Sequence, residues 1–194
     1  DEILEGGLAP NATVMSWRGE AGGIAAAQSQ HDAVMTPGFP LYFNHRPIDL
    51  KNTPGHSSSN NTLTTVYQYD PVPKELKADE RKYIIGVQAN LWTEYIPKWE
   101  HVESLVFPRL LSLAEIAWTN QERKDFADFR KRLPAQLDRL SALEVNYGRD
   151  PYQVMISMQM TDGLQKVSMT TELPGLEIRY TTNGSEPDAN SNLY

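Results

Sequence analysis

Hydrophobic and polar positions along this chain follow more than one period, and each period marks a kind of element. From Tyr83 the sequence reads Tyr-Ile-Ile-Gly-Val-Gln-Ala-Asn-Leu-Trp-Thr-Glu. The β-branched run around Ile84, Ile85 and Val87 fits a strand buried on both faces, as in parallel sheets. Beyond it Gln88, Asn90, Trp92 and Glu94 fall on alternate positions. At strand period those side chains share one face. Earlier in the chain, residues 13–18 predict a short strand ending near Trp17. Residues 21–30 predict a helix of small residues able to pack closely on a sheet. A second strand starts at residues 33–36, is interrupted by Pro37-Gly38-Phe39-Pro40, and is followed by Leu41-Tyr42-Phe43-Asn44. Residues 44–70 form a long polar stretch, of the kind that is usually functional or mobile inside a compact domain.

Residues 100–118 carry a helical stripe of Val102, Leu105, Val106, Leu110, Leu113, Ala114 and Ala117. Pro108 is placed to kink that helix. The next helix shows Phe126, Phe129, Leu133, Leu137 and Leu140 on one face, with Thr119 or Asn120 as its cap and Pro134 as a further kink. The order of strand, helix, strand, strand, helix points to parallel βα units. It supplies about three strands, where a closed barrel needs eight. The sheet is therefore open, or the chain is part of a barrel. After Tyr147-Gly148-Arg149-Asp150-Pro151 the period falls to two: Val154, Ile156, Met158 and Met160 alternate with polar residues, and Asp162-Gly163 is a hairpin turn signal. Val167, Met169 and Thr171, then residues 177–181 and Asn183-Gly184, continue what reads as the first strands of a small antiparallel sandwich.

Composition narrows the function classes. The chain has 194 residues, 40% of them hydrophobic and 22% charged, with a formal net charge of −7. That charge argues against a nucleic-acid partner. No apolar run approaches the length of a membrane span. The absence of cysteine removes disulfide and thiolate chemistry. No His, Asp and Glu cluster has metal-ligand spacing, and no cofactor is implied. A start at Asp1 rather than Met predicts a trimmed N-terminus.

The candidate chemistry sits at the end of the 84–94 stretch. Trp92 and Glu94 should emerge side by side at the carboxyl end of a strand, which is the active face of a (β/α)₈ barrel. An indole stacks on the apolar face of a sugar while a carboxylate accepts its hydroxyl protons. Taken singly, Trp17 and Trp92 also suit a core, Tyr42 suits an ordinary amphipathic strand, and Glu94 suits an ion pair with a partner such as Arg18.

Several stretches together resemble glycoside hydrolase family 20, the β-N-acetylhexosaminidases. They are Asp1-Glu2-Ile3, Ser16-Trp17-Arg18-Gly19, His31-Asp32 through Pro37, Leu41-Tyr42-Phe43-Asn44, Gln88-Ala89-Asn90-Leu91-Trp92-Thr93-Glu94, and Phe107-Pro108-Arg109 through Trp118. The tail Tyr180-Thr181-Thr182-Asn183-Gly184-Ser185-Glu186-Pro187 resembles the C-terminal β-domain of bacterial members. The resemblance implies an α/β fold: the C-terminal half of a (β/α)₈ TIM barrel over residues 1–148, then the start of an antiparallel β-sandwich domain over residues 149–194. The chain would begin in barrel strand 5 and supply strands 6, 7 and 8. The family's catalytic Asp-Glu pair on strand 4 and its substrate-binding Arg on strand 1 would lie outside it.

The resemblance also implies substrate-assisted retaining hydrolysis of terminal N-acetylhexosamine residues, one of the exceptions to the two-carboxylate scheme. Tyr42 matches the tyrosine whose hydroxyl meets the acetamido oxygen. Trp17 and Trp92 match indoles walling the pocket, and Glu94 matches the carboxylate that accepts from distal hydroxyls. Asn44 stands where the family usually has Asp, so it keeps the reach and loses the charge. The implied partner is an N-acetylhexosamine-containing glycan and the implied location periplasmic or secreted, in a bacterium. A half barrel would be inactive alone and would self-associate through its exposed edges. A carbohydrate-binding module using Trp17 and Trp92, or a protein-interaction fragment, are the non-catalytic alternatives. The set of Tyr42, Trp92 and Glu94 favours a pocket over a flat binding face.

Overall fold

The computed structural model describes residues 6–48, 54–57 and 60–194. The expected strand at Asp1-Glu2-Ile3 lies outside the described residues. Strands β1 (Val14–Ser16), β2 (Ala33–Met35) and β3 (Ile84–Val87) form a parallel sheet in the order β1-β2-β3. Val14 pairs with Ala33 and Ser16 with Met35. Ala33 pairs in turn with Ile84 and Met35 with Val87, across an irregularity after Ala33. Helix α1 (Ala21–Gln28) makes the crossover from β1 to β2 and buries Gly23, Ala26 and Ala27. Its small residues are required there, because a Cβ on Gly23 would collide with the Met35 sulfur.

Between β2 and β3 the chain departs from the expected strand at residues 41–44. Gly38–Leu41 is a kinked helical turn, with Phe39 and Pro40 outside helical geometry. Only Tyr42 then makes a parallel bridge, to Asn90. The polar stretch after Asn44 is also less irregular than its composition suggests. It contains helix α2 (Leu63–Gln68), capped by the Thr62 hydroxyl, which accepts from the Thr65 N–H, and it buries Leu63, Val66 and Tyr67.

The single kinked helix expected over residues 100–118 is two helices, α3 (Trp99–Val106) and α4 (Arg109–Trp118). Phe107 is extended, at φ −99° and ψ 140°, the conformation a following proline imposes. Helix α5 (Phe126–Ala142) runs through Pro134 without ending. Its cap is Asp125, whose carboxylate accepts from the Asp128 N–H, and not Thr119 or Asn120. Asn120 instead precedes a 3₁₀ turn at Gln121–Arg123. The main core joins Leu63 and Tyr67 of α2 to Phe129, Leu133, Leu137 and Leu140 of α5, with Tyr147 and Leu173. A second cluster, Leu41, Phe43, Val66, Leu113 and Ile116, backs the carboxyl ends of the strands.

The C-terminal stretch forms two antiparallel pairs, β4 (Met155–Thr161) with β5 (Leu164–Thr170), and β6 (Arg179–Tyr180) with β7 (Asn192–Leu193). Asp162 and Gly163 turn the first hairpin with φ of 51° and 76°, the positive pair such a two-residue turn needs. The alternation of Ile156, Met158 and Met160 is there, but every residue of β4 is exposed. Among the described residues no second sheet covers that face. The stretch is tied to the helices through Leu173, whose N–H donates to the Pro151 carbonyl at 3.1 Å, and through Glu172, whose carboxylate accepts from the Thr64 N–H at 2.7 Å.

Asp150 lies at this junction. Its Oδ2 is buried with no partner, although the residue as a whole is partly exposed. Burial pushes the carboxyl pKa up to about 6 against the pull of Arg109, with Glu172 adding to the rise. The folded value exceeds the unfolded one, so this carboxyl contributes stability at low pH that is lost as pH rises through about 6. We expect that contribution to fall by about 2–3 kcal/mol between roughly pH 4 and 7. His45 works the other way, because burial and then His56 lower its pKa. Urea unfolding of the wild type and Asp150→Asn across that range isolates the carboxyl. Parallel pH profiles for the two would contradict the assignment.

Candidate active site

The carboxyl ends of β1, β2 and β3 open onto one cavity of ≈ 580 Å³, within the range of small-molecule sites. Met15, Trp17, Thr36, Tyr42, Gln88, Asn90, Trp92 and Glu94 line it. Each strand delivers its residues by position. Trp17 follows the last residue of β1 and Thr36 the last of β2, while Gln88, Asn90, Trp92 and Glu94 extend the alternation of β3. The shared face anticipated for those four residues is therefore the cavity wall.

Local hydrogen bonds hold the wall in place. The Ser16 hydroxyl donates to the Gly19 carbonyl at 2.7 Å and accepts from the Gly23 N–H at 2.9 Å, fixing the turn that carries Trp17. The Arg18 guanidinium lies over the Trp17 ring, 4.7 Å from its centroid. The Asn90 N–H donates to the Leu41 carbonyl at 2.9 Å and the Phe43 N–H donates to the Asn90 carbonyl at 2.7 Å. Tyr42 and Asn90 are thereby locked side by side. The Trp92 ring meets the Tyr42 ring edge-on, with centroids 6.0 Å apart. A polar relay crosses the floor: Gln88 Nε2 donates to Asn90 Oδ1 at 2.6 Å, and Asn90 Nδ2 donates to the buried Thr36 Oγ1 at 2.8 Å.

Of the five residues singled out in the sequence, Trp17, Tyr42, Trp92 and Glu94 share this cavity. Asn44 does not line it. It is 7% exposed, its side-chain Oδ1 is buried without a partner, and its carbonyl accepts from the His56 N–H. Sequence reasoning did not single out Met15, Thr36, Gln88 and Asn90 as site residues. Gln88 and Asn90 carried a signal, being in step with Trp92 and Glu94. Thr36 and Met15 carried only their place at strand ends.

Trp17 and Trp92 are 49% and 50% exposed, so neither indole belongs to the core. Two half-exposed indoles and a tyrosine ring offer apolar faces to the C–H face of a pyranose, and Glu94 with the two amides offers partners for hydroxyls. Among the described residues, no group of three His, Cys, Asp or Glu side chains could hold a metal ion.

Comparison with known proteins agrees with this geometry. The family model for the glycosyl hydrolase family 20 catalytic domain matches residues 1–121, and that for the chitobiase/beta-hexosaminidase C-terminal domain matches residues 160–194. A beta-hexosaminidase of Porphyromonas gingivalis is 45% identical over 199 residues, covering 100% of this chain and 25% of the relative. A beta-N-acetylhexosaminidase of Cellulomonas fimi is 29% identical over 68% of this chain and 27% of its own length. The chain thus spans about a quarter of the length of these relatives. Among solved structures, the Vibrio harveyi GH20 exo beta-N-acetylglucosaminidase in complex with N-acetylglucosamine superposes with a TM-score of 0.63 at 29% identity. It covers 75% of this chain and 23% of that one. The Streptomyces coelicolor A3(2) GH20 beta-N-acetylhexosaminidase gives 0.66 at 25% identity, over 77% of this chain and 32% of that one. With the catalytic-domain model matched over well more than half of its residues, the chain belongs to glycosyl hydrolase family 20.

Proposed function

We propose that this chain is part of a β-N-acetylhexosaminidase that removes terminal non-reducing N-acetylhexosamine residues. In this reading residues 1–148 are the C-terminal half of the catalytic (β/α)₈ barrel and residues 149–194 begin a C-terminal β-sandwich domain. The observation that carries the proposal is the cavity at the carboxyl ends of three parallel strands, which gathers Trp17, Tyr42, Trp92 and Glu94. Barrel active sites are built at that end.

The reaction is substrate-assisted and retaining. The acetamido oxygen bonds to the anomeric carbon as the glycosidic bond breaks, and an acid protonates the departing oxygen. Water then reopens the cyclic intermediate. Tyr42 would donate to the acetamido oxygen and hold it in attacking position. Trp17 and Trp92 would enclose the acetamido methyl and the ring, and Glu94 would accept from distal hydroxyls. Asn44, buried and outside the cavity lining, is given no substrate contact in this reading. The acid, and the carboxylate that orients the acetamido N–H, would come from outside this chain. Family resemblance supports a periplasmic or secreted location.

The test is an assay of the full-length protein and of residues 1–194 alone on an aryl β-N-acetylglucosaminide. We expect turnover by the former and none by the latter. A full-length protein without turnover, or a lone chain whose turnover Glu2→Gln abolishes, would overturn the proposal.

The outer edges of β1 and β3 have no partner strand among the described residues. Ile85 on β3 and Trp118 at the end of α4 are 55% and 90% exposed. Residues 1–194 expressed alone should therefore self-associate. Multi-angle light scattering reads the mass, and a monomer at every concentration would contradict the expectation.

A further inference from the structure

Tyr42 is held by its two flanking peptides. Its N–H donates to the Gly38 carbonyl at 2.9 Å, the Leu41 carbonyl accepts from Asn90, and the Phe43 N–H donates to Asn90. These are all backbone partners. The remaining group, the Tyr42 carbonyl, accepts from the His45 N–H at 3.2 Å in a local turn and, from across the fold, from a side chain, Asn61 Nδ2 at 3.0 Å. Asn61 is fully buried and stands immediately before the Thr62 cap of α2. Its own carbonyl accepts from Arg109 Nη1 at 3.1 Å. The same guanidinium binds the carbonyls of Phe43 at 2.7 Å and His45 at 3.0 Å.

Asn61 is a costly residue for this position. Its Oδ1 is buried and has no partner, and an orphaned buried acceptor opposes folding. A leucine of similar size would remove that orphan. What leucine lacks is the donor that meets the Tyr42 carbonyl. The carboxamide therefore serves one hydrogen bond, and that bond completes the clamp on the residue whose phenol lines the cavity.

We propose that Asn61 is a positioning residue, which fixes the Tyr42 backbone and through it the aim of the phenol into the cavity. The inference rests on the role given to Tyr42 above. It is tested in the full-length enzyme with Asn61→Leu, Tyr42→Phe and the double variant. Asn61→Leu should lower kcat by about 10- to 100-fold, the scale of a misplaced catalytic group, with KM little changed. In the Tyr42→Phe background the same substitution should cost almost nothing, because the hydroxyl it aims is gone. An undiminished cost there would show that Asn61 acts on the fold at large and would overturn the proposal. A crystal structure of Asn61→Leu gives a second reading: a displaced phenol supports the proposal and an unmoved one refutes it. Should Tyr42→Phe leave kcat intact, the role of Tyr42 fails, and the position of the phenol in that crystal still decides the role of Asn61. If Asn61→Leu does not fold, Asn61→Ser replaces it in both experiments.

Discussion

Tyr42→Phe in the full-length enzyme should lower kcat by roughly 10²–10³-fold while moving KM little. That loss corresponds to about 2.7–4 kcal/mol, the cost of deleting one preorganised donor to a developing charge. The phenol lines the cavity, meets the Trp92 ring edge-on and is backed by a paired backbone on both flanks. It is thus aimed before substrate arrives. Its hydroxyl would touch the acetamido oxygen most strongly as that oxygen attacks the anomeric carbon. An interaction realised mainly in the transition state appears in kcat. Glu94→Gln should behave differently. Glu94 is exposed at the cavity and would bind distal hydroxyls in ground and transition states alike. Its loss should raise KM as well as lower kcat/KM. Steady-state kinetics of both variants on one chromogenic substrate separates the roles. An intact kcat in Tyr42→Phe, together with an abolished one in Glu94→Gln, would reverse them.

Strands β1 to β3 and the shared face of Trp92 and Glu94 were legible in the sequence because each follows a local rule, whereas Trp17 and Tyr42 were singled out through the family resemblance. A β-branched run and an alternation of two mark β3 and its extension over Gln88, Asn90, Trp92 and Glu94 without any knowledge of neighbours. What was not legible depends on partners far along the chain. Helix α2 sits in a polar stretch, and it becomes a core element only because α5 packs on Leu63 and Tyr67 while Leu113 and Ile116 of α4, with Leu41 and Phe43, cluster with Val66. The start of α5 was misplaced because Asn120 and Asp125 are both capable caps, and only the Asp125 carboxylate meets a free N–H, that of Asp128. Asn44 was matched to a substrate contact from its motif, and its side chain is buried and absent from the cavity lining. Motif position fixes the backbone, and the rotamer is settled by packing. The covered face expected for the hairpin after residue 154 cannot be judged from alternation alone, since a covering sheet is a matter of other chain segments.

Arg109→Leu should be the most destabilising single change in this part of the protein. Arg109 is 1% exposed and lies over the Phe43 ring, 4.6 Å from its centroid. Its guanidinium donates to the carbonyls of Leu105, Phe43, His45 and Asn61. Burial lowers its pKa to about 10, with Asp150 and Glu172 opposing the fall, so it remains charged at neutral pH. A buried charge can sometimes be exchanged for a hydrophobic residue without loss, when all its partners are removed with it. Here leucine would leave the carbonyls of Phe43, His45 and Asn61 without this donor. Each orphaned group costs about 1–3 kcal/mol. We expect a loss of at least about 3–5 kcal/mol, enough to unfold a marginally stable domain. Arg132 is the control. Its bonds to Glu115 and Asp128 are short, at 2.6 and 2.8 Å, but its side chain is 47% exposed. Exposed pairs of this kind contribute about 0–1 kcal/mol. Urea unfolding of Arg109→Leu and Arg132→Gln in the full-length protein compares the two. Equal shifts in midpoint would mean that the buried guanidinium does not hold the loop behind Tyr42.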